Sequence, residues 1–454
     1  MYKMDSILFE LPPELVPIAR FLAPILFLIW QFVKNWWWVA LPFILWRPFL
    51  FLLRWQRTDH FLSKQESVML EIKIPKDMLK PIRAMEVIMG NIRQSFYDPP
   101  GSWWENWVEG KVQLSVYFEI ASIEGDIHFY FRCIKSQKDI AESIIYSQYP
   151  DAEISVVEDY TKKVPKDIPN KEWDIRGADY RFNLRNPYPI KTYVDFETEH
   201  EAKEEKRIDP ISALMEAMAK VKPGEQLWYQ IIASPLGEDT GSKPYVKEAV
   251  EIREKLARRD KKESPKRPIL LDAMDVLLTG NVPQDKEEEK EIFPPEMKLT
   301  PGEREIILAV EKKISKPAFT TSIRYVYLGH KAKPFGASWR LPFGFFGSLF
   351  TEHLNGLLPY GKTFPKIHRS WFLPANLVRL RRLYIRKRKL FKNYVRRDRP
   401  LYPFNGKFNS GTFIMNTEEL ATLFHFPTKI TVPAPFIQRV EAKKGEAPPG
   451  LPVE

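Results

Sequence analysis

Residues 112–134, VQLSVYFEIASIEGDIHFYFRCI, hold two runs of alternating apolar and polar residues that meet at Ile123-Glu124-Gly125. A period of two sends successive side chains to opposite faces of a pleated strand. A glycine-containing turn between two such runs signals an antiparallel hairpin. Upstream, VMLEIKIP (68–75) reads as a strand. It is followed by KDMLKPIRAMEVIMGNIRQSF (76–96), which puts Met78, Ile82, Met85, Ile88 and Ile92 on one helical face. Downstream, QKDIAESIIYSQYP (137–150) is a short amphipathic helix and AEISVVEDY (152–160) a strand.

The order β-α-β-β-α-β is that of a ferredoxin-like split unit. A longer version follows. ADYRFNLRN (178–186) and KTYVDFE (191–197) read as strands, and DPISALMEAMAKV (209–221) as a helix opened by Asp209 and Pro210. EQLWYQIIASP (225–235) is a strand, the segment from Tyr245 to Glu263 a charged helix, PGEREIILAVEKKIS (301–315) a helix and AFTTSIRYVYLGH (318–330) a strand. The expected fold class is α+β, with two ferredoxin-like units. The first spans 66–160 and the second 161–330, with an insertion near 261–299 where DKEEEKE reads as a solvated stretch.

The first 65 residues have a different composition. FLAPILFLIWQFV (21–33) is apolar but short, and WWWVALPFILWRPFLFLLRW (36–55) has about the length a bilayer-spanning helix needs. Trp36, Trp37, Trp38 and Trp55 sit where an interfacial belt would lie, and Arg54, Arg57 and Lys64 follow. The expectation is an N-terminal transmembrane segment at about 36–54, anchoring the chain in the cytoplasmic membrane with its bulk facing the cytoplasm. The single cysteine, Cys133, excludes an intramolecular disulfide framework and a thiolate metal cage.

The net charge of +11 is concentrated. Between Arg379 and Arg399, 11 Lys/Arg face one Asp, a local charge of +10. A solvated helix face ordinarily mixes signs, so this one calls for an anionic partner: nucleic-acid phosphates, acidic headgroups or an acidic protein surface. The candidate binding residues are Arg379, Arg381, Arg382, Arg386, Lys387, Arg388, Lys389, Lys392, Arg396 and Arg397. No base-reading motif accompanies them, so DNA contact is expected to be indifferent to base sequence. They belong to a linker and basic helix at 331–400, followed by a tail at 401–454.

Gly356, Gly361, Lys362 and Thr363 match the spacing of a phosphate-binding P-loop. The context argues against it, because no aliphatic strand leads into the loop and Pro359 and Pro365 interrupt it. A P-loop NTPase using 356–363 therefore stands as the alternative, not the main reading. No catalytic residue, cofactor or metal site is expected.

The tail IMNTEELATLFHFPTKITVPAPFIQRVEAKKGEAPPGLPVE (414–454), with its closing Pro-Pro-x-Leu-Pro, resembles the segment preceding the motor of type IV secretion and conjugation-type DNA-pumping ATPases of the HerA/FtsK superfamily. QYPDAEI, YPIKTYVDFE, RIDPISALMEAM and GEQLWYQIIASP fit the same resemblance. In that family the motor begins where this sequence stops. The resemblance thus implies a non-catalytic scaffold of a DNA-transfer complex, oligomeric, that docks a separate ATPase. Leu420, Leu423, Phe424 and Phe426 are the apolar residues expected at that docking surface or in the chain's own core. A further alternative is an envelope scaffold unrelated to DNA.

Overall fold

Glu124 (φ +57°) and Gly125 (φ +102°) both occupy the left-handed region. Positive φ at both central residues suits the twist of a two-residue hairpin turn. The computed structural model describes residues 16–75, 80–196, 209–237, 242–256, 299–332, 337–369, 376–399 and 411–427. The chain divides into two compact units, one of residues 1–65 and 100–112, the other of 66–99 and 113–454.

The smaller unit contains α1 (Val16–Lys64) and a π-helical turn, Glu105–Glu109. Gly110 ends that turn at φ +73°, and a Cβ there would collide with the backbone of Arg57, so only glycine fits. The Arg54 guanidinium lies 5.7 Å from the Trp107 ring centroid. Among the described residues no helix is long and apolar enough to cross a membrane, which overturns the expected transmembrane segment. The reason is the spacing of polar groups. Only 11 residues separate Asn35 from Arg47, and six separate Arg47 from Arg54. A span needs about 20 apolar residues in succession.

The larger unit is built on β1 (Ser67–Lys73), α2 (Arg83–Ser95), β2 (Val116–Ile123), β3 (Asp126–Ile134), α3 (Lys138–Gln148) and β4 (Glu153–Val157). It continues through β5 (Trp173–Phe182), α4 (Tyr193–Phe196), α5 (Ser212–Ala219), β6 (Glu225–Pro235), α6 (Ser242–Leu256), α7 (Pro301–Ser315) and β7 (Ala318–His330). α8 (Pro342–Ser348), β8 (Leu357–Pro359), α9 (Arg379–Arg396), β9 (Phe413–Asn416) and α10 (Thr417–Leu423) complete it. The expected second strand at 191–197 is instead the short helix α4, where Asp195 accepts from the Thr192 amide at 2.8 Å.

Two separate units were the expectation, and this too is corrected. The strands form one nine-stranded antiparallel sheet in the order β4-β1-β3-β2-β6-β7-β5-β8, with β9 added on β7. The joint is β2 against β6, in register from Val116↔Ala233 to Ile123↔Gln226. Left apart, both strands would present an open edge of unpaired backbone groups, and their union removes both edges. The expected insertion, apart from Leu299, lies outside the described residues.

The sheet is covered on both faces. One face carries Leu70, Phe118, Phe129, Phe131, Tyr229 and Tyr325, packed with Ile88 and Met89 of α2, Ile145 of α3 and Met215 of α5. Alternate residues of the same strands, among them Tyr130, Trp228 and Val326, face the other way onto Tyr160, Leu390, Phe391 and Tyr394. β6 is consequently buried along all 11 residues. The basic helix α9 is the principal lid of the second face.

Candidate functional site

α9 docks through its C-terminal half. Leu390, Phe391 and Tyr394 are spaced to lie on one helical side and are buried against the sheet. The Tyr394 ring lies 5.3 Å from that of Trp228, and its hydroxyl is 2.7 Å from the Tyr160 hydroxyl.

Four cations expected to meet a polyanion behave in two ways, three of them as clamps. Arg397 lies in the left-handed region at φ +61° and ends the helix. Its Nε and Nη2 donate to the two Glu119 oxygens at 2.7 and 3.1 Å, and its Nη1 to Asp159 Oδ2 at 2.7 Å. Burial alone would loosen the Arg397 proton, but Glu119 and Asp159 more than reverse this and hold its pKa well above the ordinary value. Burial would likewise raise Asp159, yet the hydrogen bond and charge of Arg397, with two bonds from Thr161, bring it down to about 2. Lys387 Nζ donates to both Asp174 oxygens at 2.7 and 2.6 Å. Arg386 Nη1 donates to the carbonyls of Phe364 and Lys366, both at 3.2 Å. Arg379 is the fourth, half-buried at the start of the helix.

The remaining six, Arg381, Arg382, Arg388, Lys389, Lys392 and Arg396, are exposed. At 3.6 residues per turn they fall on a single arc of about 120°, opposite Leu390 and Tyr394, and extend along about 22 Å of helix axis. No acid occurs between Arg379 and Arg397. The outward face is thus a rigid cationic rail, because the inward face is fixed by ion pairs and aromatic packing. Sequence reasoning found the cations but missed the acids that sort them. Glu119 is a lone carboxylate within the apolar strand β2, the only cue that such a group needed a buried partner.

The tail residues go elsewhere. Leu420, Leu423, Phe424 and Phe426 are all buried in the chain's own core, so they fill the fold and do not offer a docking surface. Phe424 packs on Phe118 at 5.1 Å between centroids, and Phe426 on Phe129 at 5.4 Å and Tyr149 at 5.2 Å. The helix start follows from Asn416, whose side chain accepts from the Glu419 amide while Glu419 accepts from the Asn416 amide. Glu419 is also paired with Lys313 at 3.1 Å, both fully buried. The closing Pro-Pro-x-Leu-Pro lies outside the described residues.

The P-loop pattern has no phosphate cradle. Leu357–Pro359 are strand β8, paired with Tyr180–Phe182 of β5, and the turn at 361–363 leads into irregular chain, not a helix. Thr363 is buried and its hydroxyl donates to the Tyr360 carbonyl at 3.2 Å. Gly356 is required because a Cβ would strike the Phe350 ring. Among the described residues no group of three His, Cys, Asp or Glu side chains is placed to hold a metal ion.

The family model for a domain of unknown function (DUF8128) matches residues 60–334, more than half of the chain. The chain belongs to the DUF8128 family. No curated protein matches it. The DUF8128 match takes in β1 through β7, including the β2–β6 joint. It also contains Glu119, Asp159 and Asp174, the acids that receive α9, whereas α9 and α10 lie beyond its C-terminal limit.

Proposed function

We propose that this DUF8128 protein is a non-catalytic scaffold of a conjugation-like or type IV secretion-like DNA-transfer complex at the cytoplasmic membrane. In this reading α9 follows a nucleic-acid backbone, and a separate ATPase supplies the energy. The observation that carries the DNA contact is the rail of six exposed cations on a helix that Arg386, Lys387 and Arg397 clamp in place. Phosphates repeat along DNA and neutralise such a row without reference to sequence. The link to a transfer ATPase is supported by the resemblance of the tail and its neighbouring segments. With the apolar residues of α10 in the core, the ATPase would meet other surfaces of the chain.

Binding of the full chain to duplexes of unrelated sequence, titrated against salt, tests the contact. If about six phosphates are neutralised, log K falls with log salt at a slope near −5, equally for every sequence. Replacing Arg381, Arg382, Arg388 and Lys392 together by Gln reduces the slope by about one unit per lost contact. Binding that ignores salt, or these four substitutions, overturns the DNA reading. Isolation of the full chain from its native membranes without any accompanying ATPase overturns the docking reading.

A further inference from the structure

The apolar stripe of α9 is only half covered. Leu380 and Tyr384 lie in the same helical row as Phe391, yet they are 70% and 43% exposed whereas Phe391 is 3% exposed, and Leu377, just before the helix, is 85% exposed. Val378 and Ile385 are also exposed. Val378 and Ile385 lie among the cations of the rail, whereas the row of Leu380 and Tyr384 runs on into the core at Phe391. Exposed apolar groups gathered in this way mark a contact surface.

The charges around them define the occupant. Arg381 and Arg388 border the apolar row, and no acid occurs from Asn376 to Arg397. A second copy of this helix would bring like charges together. An anionic lipid surface supplies acidic headgroups and apolar depth in one material, with long arginine stems reaching back to the headgroups. The smaller unit repeats this chemistry independently. α1 exposes Trp30, Trp46, Phe49, Phe51, Leu52 and Trp55, and in its 49 residues Asp59 is the single acid against six Lys/Arg.

We propose that the N-terminal half of α9, together with Leu377 just before it, is a membrane-surface site, in which Leu377, Leu380 and Tyr384 enter the headgroup boundary of an anionic bilayer and Arg381 and Arg388 bind its acidic headgroups. The site shares Arg381 and Arg388 with the cationic rail and adds the overhanging apolar row, which a phosphate backbone does not engage.

The test uses the full chain with Leu380→Cys carrying an environment-sensitive fluorophore. The native Cys133 stays unlabelled, because burial pushes its thiol up to about 12. Vesicles of phosphatidylglycerol mixed with phosphatidylcholine should shift the emission to the blue and shield the label from an aqueous quencher. Phosphatidylcholine alone should not, and a label at Lys392→Cys should remain aqueous with either. Adding Arg381→Gln and Arg388→Gln should raise the lipid concentration at half-shift by roughly fivefold per cation removed. A label at 380 that stays aqueous with both vesicles overturns the proposal, as does an equal response to the neutral ones. Shielding by duplex DNA but not by vesicles also overturns it and gives the surface to nucleic acid.

Discussion

Arg397 closes on Glu119 across 278 residues of chain, its Nε and Nη2 each reaching one carboxylate oxygen, at 2.7 and 3.1 Å. Both side chains are almost wholly removed from solvent, and the pair fastens the end of α9 to the middle of the sheet. Gln230 adds a bond to Glu119 at 2.8 Å and the Tyr160 hydroxyl another at 2.8 Å. The carboxylate is therefore met from three elements.

Removing one partner leaves the other charged and buried. Arg397→Ala is expected to lower unfolding stability by about 3–5 kcal/mol, measured as a shift of the urea midpoint. Replacing both, Arg397→Met with Glu119→Gln, should recover a large part of the loss, since no uncompensated charge remains. A double substitution as damaging as Arg397→Ala alone would show that the pair is not the origin of the cost.

Asp159 gives the same clamp a pH dependence. Its folded pKa, about 2, lies below the ordinary 3.8, so its ionised form is favoured in the folded state. That contribution is present above pH 4 and is lost as pH falls through 4 toward 2. Acid titration of stability should therefore steepen in this window, and Asp159→Asn should flatten it. An unchanged acid limb in Asp159→Asn would remove Asp159 from the account.

The sequence disclosed elements more readily than their union. The hairpin at Glu124-Gly125 and the helical face of Met85, Ile88 and Ile92 are local patterns, and both are present. The β2–β6 joint pairs Glu119 with Gln230, 111 residues apart, and no local period announces such a partner. The basic run was visible, but its division into clamps and rail depends on Glu119, Asp159 and Asp174, each far away along the chain. Tyr193–Phe196 looked like strand because Val194 and its aromatic neighbours favour one, whereas the Asp195 side chain turns the backbone into a helical turn. Leu420, Leu423, Phe424 and Phe426 stand out in the sequence as apolar, and apolar character alone does not separate a docking face from a core face.

Lys362 should be dispensable for nucleotide. The turn it occupies follows β8 and does not open a helix, so no row of backbone amides converges beside it. Lys362→Ala should leave ATP binding by the purified chain at the same background as the unchanged protein, by equilibrium dialysis. Micromolar binding that vanishes with this substitution would restore the P-loop alternative.

Phe424 decides whether the C-terminal segment is an appendage or part of the fold. Its ring lies 5.1 Å from Phe118 and 6.0 Å from Phe129, on the sheet face opposite α9, and it has no exposed surface. Upstream of α10, β9 hydrogen-bonds to β7 from Ala318↔Asn416 to Thr321↔Phe413, and Glu419 of α10 neutralises the buried Lys313. Truncation at residue 410 would therefore uncover an edge of β7, empty the space of three aromatic side chains and leave Lys313 without its carboxylate. Phe424→Ala alone should cost about 3–5 kcal/mol, because the rings around the void sit on a sheet that cannot collapse into it. The truncated chain should lose the cooperative unfolding transition, read by near-ultraviolet circular dichroism during a urea titration. A truncated protein that keeps the transition and its midpoint would make the tail a detachable segment, and the docking role first read for Leu420, Leu423, Phe424 and Phe426 would regain its footing.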